Sequence, residues 1–269
     1  MLTKSHGLGN DYLVADPAEL PCELTPERVR LLCDRHVGVG SDGVLVLDGP
    51  LGVRIFNPDG SEAEKSGNGL RIFAKWLFDT GRAPGRQFVV QLRDGSAAVE
   101  IDTVGGRAVE VTVEMGQPVF RADLTTIEVG GLRFGVVALS LGNPHCVIMR
   151  ERLDVTDLRR LGPLVERNPA FPHRTNVQLA RVAARDRVEL LIWERGAGET
   201  RASGSSACAV VAACHRRGLV DADVTAAMPG GELHIRVDAS GSLFLRGPVE
   251  EVAHVTLSSE LIARLQALP

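Results

Sequence analysis

Short apolar runs, separated by turn residues, dominate the hydrophobic pattern of this chain of 269 residues. Val, Ile, Leu and Phe fill the runs, and Gly, Pro and Asp stand between them, which is typical of short β-strands. The pattern predicts strands over 12–15, 44–47, 53–56, 88–92, 97–101, 109–115, 135–139, 176–180 and 188–193. The chain is therefore predicted to be rich in sheet.

Three other segments carry apolar residues at helical spacing. The first helix is predicted over 26–35, with Thr25 as its N-cap. The second is predicted over 155–165, and the third over 258–267, where one of the two opening serines caps the helix.

Two further helices are predicted to be buried. One begins near Gly67 and ends at Gly81, and the other begins near Gly204 and ends at Gly218. A terminal glycine is a common C-cap. The second helix is apolar on nearly every side, which is expected of a helix enclosed by a sheet or barrel.

The two buried helices belong to an internal duplication. Residues 59–68 align with 196–205, and residues 8–10 align with 141–143. The same order of turn, strands, Ser-Gly and helix in both halves predicts two similar α+β domains. We expect an N-terminal domain over 1–116, completed by 256–269, and a C-terminal domain over 117–255.

Each buried helix follows a Ser-Gly pair, at Ser66 and at Ser203. A helix N-terminus offers unpaired N–H groups and the positive end of a dipole, and therefore suits a carboxylate or a phosphate. If both helix ends bound one carboxylate, the two serines would flank the adjacent carbon, as a racemase requires. Serine is also a favoured N-cap, so the spacing alone leaves a purely structural role open.

Composition excludes several classes of protein. The net charge is −4 and aromatic residues make up 4%, which disfavours a nucleic-acid partner and a membrane surface. The first residues form no apolar segment of the kind a secretory signal needs, so none is expected, and no apolar run reaches the length of a membrane span. Five cysteines without a Cys-x-x-Cys pair favour the reducing cytoplasm and disfavour a disulfide framework or a zinc site.

Specific motifs run through nearly the whole chain. They are 6–11 (HGLGND), 35–43 (RHVGVGSDG), 57–62 (NPDGSE), 66–71 (SGNGLR), 142–145 (GNPH), 175–177 (TNV) and 194–200 (ERGAGET). In this order they resemble the diaminopimelate epimerase family. The resemblance implies an α+β fold of two pseudo-symmetric domains, each a mostly antiparallel β-barrel around a central helix, with the active site in the cleft between them. It also implies a PLP-independent isomerase that acts in lysine and cell-wall precursor biosynthesis. Such an enzyme needs no cofactor or metal and takes a small amino acid as its substrate. The resemblance further implies a homodimer.

The resemblance assigns roles to matching residues. Catalytic roles fall on Ser66, Ser203, His145 and Glu194. The distal amino acid end of diaminopimelate would be held by Asn57, Asn176 and Arg195, since a guanidinium can bind a carboxylate with two hydrogen bonds. The rest of the pocket would comprise Asn10, Asn143 and Glu194, together with the helix starts at Gly67, Asn68, Gly204 and Ser205.

The chain departs from the family at the centre of this site. The family's motifs carry Cys where this chain has Ser66 and Ser203, and Gly where it has Ser206. A thiol has a reference pKa near ~8.5 and ionises far more readily than a hydroxyl, so a serine pair should be the weaker acid–base pair.

Three explanations follow from this departure. In the first, the chain is a natural branch of the family that still acts at an α-carbon, aided by His145 or Glu194. In the second, it catalyses an altered reaction, such as elimination or isomerisation. The third is an amino acid-binding protein without catalysis, of which deliberate removal of both thiols is one form. Ser206 favours natural divergence, because an inactivating design would not require it.

Overall fold

A computed structural model describes residues 1–269 and divides them into two compact units. Unit 1 comprises Met1–Val113 and Gly247–Pro269, and unit 2 comprises Glu114–Arg246. Residues 247–255 therefore group with unit 1, because the strand over Glu250–Val255 pairs with the first strand of the chain.

The strands and helices follow the chain in an order that repeats once. In the first half they are β1 (Leu2–Gly7), β2 (Asn10–Ala15), α1 (Pro26–Cys33), β3 (Val44–Asp48), β4 (Gly52–Phe56), β5 (Glu62–Ala63), α2 (Gly67–Asp79), β6 (Gln87–Leu92), β7 (Gly95–Val104) and β8 (Arg107–Gly116). In the second half they are β9 (Val119–Phe120), β10 (Thr126–Val129), β11 (Leu132–Gly135), β12 (Val137–Ser140), β13 (Pro144–Met149), α3 (Val155–Glu166), β14 (Asn176–Ala184), β15 (Arg187–Glu194), β16 (Gly198–Thr200), α4 (Gly204–Arg216), β17 (Asp223–Met228), β18 (Gly231–Val237), β19 (Leu243–Pro248), β20 (Glu250–Val255) and α5 (Ser259–Ala267).

Unit 1 is a mostly antiparallel sheet that encloses α2. Strands β1 and β2, β1 and β20, β3 and β4, β6 and β7, and β7 and β8 pair antiparallel, whereas β2 and β3 pair parallel. Helix α2 packs against β1, β2 and β7, and its residues from Gly67 to Leu77 are buried. A helix buried on all sides needs apolar residues around its circumference, which Leu70, Ile72, Phe73 and Leu77 supply.

Unit 2 repeats this construction around α4. Antiparallel pairs join β12 to β13, β14 to β15, β17 to β18 and β18 to β19, and a parallel pair joins β13 to β14. Helix α4 is buried from Ser206 to Cys214 and packs against β13, β14, β15 and β18. The predicted α+β fold, with two barrel-like domains that each contain a central helix, is confirmed.

The duplication extends to the strand register. Leu13 pairs with Val44 on parallel strands of unit 1, and Cys146 pairs with Val177 at the equivalent place in unit 2. Cys146 lies 133 residues after Leu13, and Val177 lies 133 residues after Val44. The two halves therefore share one strand arrangement as well as one sequence pattern.

The caps that the sequence predicts are present at several helix ends. The side chains of Thr25 and Ser258 accept hydrogen bonds from the backbone of α1 and α5. Gly81 and Gly218, which follow the C-caps of α2 and α4, adopt positive φ values of 72° and 69°, as glycine allows at low cost. No helix combines the length and the apolar composition that crossing a membrane would require.

Two predicted boundaries are wrong. The single strand predicted over 135–139 is divided, because β11 ends at Gly135 and β12 begins at Val137, while the N–H of Val136 donates to the carbonyl of Thr125. Helix α1 ends at Cys33 instead of residue 35. The carboxylate of Asp34 accepts hydrogen bonds from the backbone N–H groups of His36 and Val37, two and three residues later, and so terminates the helix.

Candidate active site

Ser66 occupies the N-cap of α2, in unit 1. Its Oγ accepts a hydrogen bond from the N–H of Gly69 at 3.0 Å and lies 3.2 Å from the hydroxyl of Tyr12. This cap leaves the N–H groups of Gly67 and Asn68 at the positive end of the helix, where an anion is favoured. The predicted helix-terminal position of Ser66 is therefore present, and Tyr12 is a neighbour that the sequence reading missed.

A polar network positions Asn68 beside the first hairpin of unit 1. The Asn68 amide donates to Oδ1 of Asn10 at 3.0 Å, and the Asn10 amide donates to Oδ2 of Asp42 at 3.0 Å. The guanidinium of Arg35 bridges the Asp42 and Asp11 carboxylates at 2.8 and 2.7 Å. Asn10 and Asn68, which the sequence predicts for the pocket, are therefore held together.

Asp11 carries the buried charge of that network. Burial acts to raise the pKa of Asp11, but hydrogen bonds from Arg35 and Lys4 outweigh it, so the pKa lies below its ordinary value. The carboxylate therefore stays ionised and keeps both cations in place. Arg35, Asp11 and Asp42 lie inside recognised motifs, yet only the tertiary structure shows that they meet.

Asn57 has local partners in unit 1. Its side-chain amide donates to Oγ of Ser61 at 3.0 Å, and its backbone N–H donates to the Ser61 carbonyl at 2.8 Å. These bonds close the turn between β4 and β5. Its side-chain carbonyl oxygen has no hydrogen bond to Asn10 or Asn68, so the structure does not join Asn57 to their network.

Ser203 occupies the equivalent N-cap of α4, in unit 2, but behaves differently. It is 5% exposed, and its side chain makes no capping hydrogen bond. Gly204 and Ser205 form the first turn, where backbone N–H groups lack intrahelical partners. Although each helix begins at a serine, only Ser66 uses its hydroxyl as a cap.

His145 lies at the centre of a second hydrogen-bond chain, in unit 2. Its Nδ1 is 3.0 Å from the amide nitrogen of Gln178, which also donates to Oγ of Ser206 at 2.9 Å. Its Nε2 is 2.9 Å from Oδ1 of Asn143. Since the amide donates to Nδ1, this network assigns the ring proton to Nε2, which donates to Asn143.

The imidazole of His145 is neutral at neutral pH. Burial lowers the pKa of His145 to about 3, and the nearby positive charge of Arg195 acts in the same direction. Both ring nitrogens are engaged by amides in this arrangement. The catalytic role that the resemblance assigns to His145 stays a prediction, and Gln178 is a partner that the sequence reading missed.

The buried imidazole should make the stability of the protein depend on pH. The pKa of His145 is about 3 in the folded state and 6.5 ordinarily. As the pH falls, the unfolded chain therefore binds a proton at His145 before the folded protein does. The stabilising contribution is therefore present above about pH 6.5 and is lost as the pH falls towards 3. Between pH 7 and 5 we expect the protein to lose about 2 kcal/mol more of its unfolding free energy than a His145→Gln variant.

Urea denaturation at both pH values, followed by the fluorescence of Trp193 in a Trp76→Phe background, measures this difference in unit 2. His173→Gln, at an exposed histidine, serves as the control and should keep the dependence of the parent. Equal losses in the parent and in His145→Gln would contradict the assignment of a neutral buried imidazole.

Arg195 follows β15 and is held through its backbone. Its N–H donates to Oδ1 of Asn176 at 2.9 Å, while the Asn176 amide donates to the Pro144 carbonyl at 3.0 Å. The guanidinium is exposed and donates one bond to the His173 carbonyl at 3.3 Å. The structure thus brings Asn176 and Arg195 together and leaves the planar guanidinium exposed at the surface.

Glu166 fixes the turn that presents Glu194 and Arg195. Its carboxylate accepts hydrogen bonds from Nε1 of Trp193 at 2.8 Å and from the N–H of Gly196 at 3.1 Å. Burial acts to raise the pKa of Glu166, but these bonds and the charge of Arg174 lower it below its ordinary value. Glu194 itself is half-buried. Glu166 carries no motif signal and was missed from the sequence.

The structure contains no group of three or more His, Cys, Asp or Glu side chains arranged to hold a metal ion. All five cysteines are free thiols. Burial raises the pKa of Cys146 to about 12 and that of Cys214 to about 11, so neither is a thiolate at neutral pH.

Comparisons with known proteins agree with the motifs. The family model described as diaminopimelate epimerase matches residues 2–121 and 137–252. Diaminopimelate epimerase 2 of Nostoc sp. (strain PCC 7120 / SAG 25.82 / UTEX 2576) is 41% identical, with 97% of this chain and 96% of the relative covered. The diaminopimelate epimerase of Pelotomaculum thermopropionicum is 40% identical, with 93% and 96% covered.

A solved structure shows the same fold. The crystal structure of a hydroxyproline epimerase from Agrobacterium vitis superposes with a TM-score of 0.70 at 16% identity, covering 94% of this chain and 90% of that one. At this identity the likeness concerns the fold alone.

Proposed function

Because the chain belongs to the diaminopimelate epimerase family, we propose that it epimerises an amino acid at the α-carbon without PLP, with LL- to meso-diaminopimelate as the default reaction. The observation that carries the proposal is the pair of serines at the N-termini of α2 and α4, in two halves that repeat each other. The product would serve lysine and peptidoglycan precursor biosynthesis.

Ser66 and Ser203 act on opposite faces of the α-carbon in this mechanism. The deprotonated oxygen of one serine removes the α-proton while the hydroxyl of the other delivers a proton from the far side, so that the configuration inverts and the deprotonated state passes from one serine to the other. The N–H groups of Gly67, Asn68, Gly204 and Ser205 bind the α-carboxylate, which stabilises the carbanion that forms beside it. Asn10, Asn143 and Glu194 hold the amino acid, and His145 and Glu194 support the two serines.

The distal amino acid end of diaminopimelate is bound by Asn57, Asn176 and Arg195. The bond from the Arg195 N–H to Asn176 supports this assignment, because it positions the guanidinium without using it. A planar guanidinium bound to a carboxylate forms strong, charge-assisted hydrogen bonds.

Replacement of Arg195 by alanine should therefore weaken binding of the distal carboxylate. We expect about a tenfold rise in Kd or KM for diaminopimelate, which corresponds to ~1.4 kcal/mol for an exposed charge-assisted bond. Calorimetric titration measures it. Arg185→Ala is the matched control, since Arg185 is an exposed arginine paired with Asp221. Unchanged affinity in Arg195→Ala would remove Arg195 from the site.

Exchange of the α-proton tests the proposed reaction directly. The protein is incubated with LL- and meso-diaminopimelate in D₂O, and NMR follows loss of the α-proton signal and formation of the other epimer. The Ser66→Ala, Ser203→Ala double variant is the control for contaminating enzyme. Deuterium incorporation with inversion in the parent alone supports the proposal; binding without exchange contradicts it.

A second candidate is an amino acid-binding protein or an isomerase of altered chemistry. Two observations favour it: both positions that are Cys in the family carry hydroxyls here, and both ring nitrogens of His145 are engaged by amides. A binder gives calorimetric heat without exchange of the α-proton. An altered isomerase or lyase instead consumes another amino acid in a substrate screen.

The proposal extends to the cellular compartment, the oligomeric state and the partners of the protein. Five free thiols support a reducing cytoplasm. The family resemblance supports a homodimer, which light scattering at micromolar protein concentration would test. The partner in the reaction is a small amino acid, with no nucleic acid, membrane or cofactor.

A further inference from the structure

The hydroxyl of Ser66 has two polar neighbours, and one of them was not part of the expected site. Gly69 N–H lies 3.0 Å from Oγ, and the Tyr12 hydroxyl lies 3.2 Å from it. A serine hydroxyl can donate one hydrogen bond and accept two. Since an N–H group only donates, Gly69 always occupies one acceptor position of Ser66.

The direction of the Tyr12–Ser66 hydrogen bond then decides what Ser66 can do. If Tyr12 donates, both acceptor positions of Oγ are filled and the Ser66 proton points elsewhere, ready to be given away. If Ser66 donates to Tyr12, one lone pair of Oγ is left to accept a proton. The two directions of one bond thus correspond to the acid and the base form of Ser66.

We propose that Tyr12 is the positioning residue and proton relay of Ser66, an inference that rests on the proposed epimerase function. When Ser66 gives its proton to the α-carbanion, the Tyr12 hydroxyl gives its own to Oγ, so a phenolate and a neutral amino acid result. In the reverse reaction Oγ takes the α-proton while its own proton passes to the phenolate. The negative charge thus resides on a phenol, with a reference pKa near ~10, instead of a serine alkoxide.

The packing around Tyr12 holds its ring at this place. Tyr12 is 6% exposed on β2, and Gly43 lies against its ring. A Cβ at residue 43 would lie 2.6 Å from Cε1 of Tyr12 and 2.4 Å from the Phe56 carbonyl oxygen. The absence of a side chain at Gly43 therefore leaves the space that the ring occupies.

The internal repeat gives this relay to one serine alone. The position equivalent to Tyr12 in unit 2, 133 residues later, is His145. The imidazole of His145 bonds to Gln178 and Asn143, and the Ser203 side chain makes no capping bond. Ser66 therefore has a hydroxyl partner of its own, which Ser203 lacks.

The first test uses the fact that Tyr12 is the only tyrosine of the chain. Tyrosine labelled with ¹³C at Cζ gives one NMR resonance, whose shift is followed from neutral pH to the end of the native range. In Ser66→Ala the phenolate loses the Ser66 donor, so ionisation should move to higher pH by at least about half a unit. Ser203→Ala is the control and should match the parent; identical titrations in the parent and in Ser66→Ala overturn the relay.

The charged and titratable side chains on the elements around this pair are unchanged in all these variants. They are Lys4, His6, Asp11, Arg35, Asp42, Glu62, Lys65, Arg71, Lys75 and Asp79. A difference between Ser66→Ala and Ser203→Ala therefore reports the hydroxyl of Ser66.

The second test is a cycle of substitutions read by α-proton exchange. Tyr12→Phe should lower kcat about tenfold or more at unchanged KM in the parent, because the alkoxide loses its proton donor. In a Ser66→Cys background the same substitution should cost less than about twofold, since a thiol ionises without help. An equal cost in both backgrounds would show that Tyr12 only packs, and would overturn the relay.

The two tests separate this inference from the proposed function. A chain that exchanges no α-proton, yet whose tyrosine titration depends on Ser66, contradicts the epimerase proposal and supports the pairing. An active chain with equal Tyr12→Phe costs in both backgrounds supports the epimerase proposal and overturns the relay.

Discussion

The double variant Ser66→Cys, Ser203→Cys is expected to epimerise LL-diaminopimelate at least about a hundredfold faster than the parent. General acid–base catalysis by a positioned side chain contributes factors of this order, provided that its pKa lies near the working pH. A thiol at a helix N-terminus meets that condition, whereas a hydroxyl ionises far less, and each unit of pKa mismatch costs ~1.4 kcal/mol.

The surroundings of both serines should accept a thiol. The Ser203 side chain makes no capping bond that a sulfur would break, and Ser66 loses one N-cap acceptor, which costs ~1 kcal/mol of stability. Initial rates are followed by polarimetry or NMR, with a Ser96→Cys variant, at an exposed serine of β7, as the control for an added surface thiol. If the double variant binds diaminopimelate and remains as slow as the parent, the rest of the pocket has changed as well.

Replacement of Asp79 by alanine is expected to lower the free energy of unfolding of unit 1 by about 3–5 kcal/mol. Asp79 is buried on α2, where its carboxylate accepts from Nζ of Lys75 at 2.7 Å and from the N–H of Ala108 at 2.9 Å. Without it, Lys75 is left as a buried ammonium that keeps its hydrogen bond to the Ala108 carbonyl, at 2.6 Å, but has lost the carboxylate that balanced its charge. Removal of one partner from a buried pair costs far more than removal of an exposed charge.

Urea denaturation can report this loss from α2 itself. Trp76 lies on α2 and stacks on Phe73, so its fluorescence in a Trp193→Phe background follows unit 1. Glu27→Ala removes an acid from the exposed Arg30 pair on α1 and should leave the midpoint nearly unchanged. Asp79→Asn, which keeps an acceptor for Ala108, should fall between the two. A midpoint for Asp79→Ala equal to that of Glu27→Ala would contradict the role of the buried pair.

Most of the fold could be predicted because its signals are local. Short apolar runs separated by turn residues predicted strands in both halves, and the Ser-Gly pairs marked the starts of α2 and α4. The strands over 223–255 were not predicted, although β18 carries the alternation of buried and exposed residues that is typical of a half-exposed strand. The predicted strand over 135–139 failed because a single backbone bond at Val136 divides it.

The site was predictable as a set of residue types, and less so as a set of contacts. The motifs indicated Ser66, Ser203, Asn10, Asn143 and Arg195. They gave no sign that Asp11 and Asp42 share Arg35, or that Gln178 joins His145 to Ser206. These contacts join residues that lie on different strands and loops, and no local pattern encodes them.

By itself the sequence determined the family, the duplication and the placement of a serine at the start of each central helix. Those features depend on residue order within a few positions, where helix periodicity and capping act. Only the tertiary structure decided that Ser66 pairs with Tyr12, 54 positions earlier, while Ser203 makes no capping bond. In unit 1, the parallel pairing of β2 with β3 and the space beside Gly43 allow the Tyr12 ring on β2 to reach the start of α2. In unit 2, the equivalent residue is His145, whose ring is held by the amides of Gln178 and Asn143.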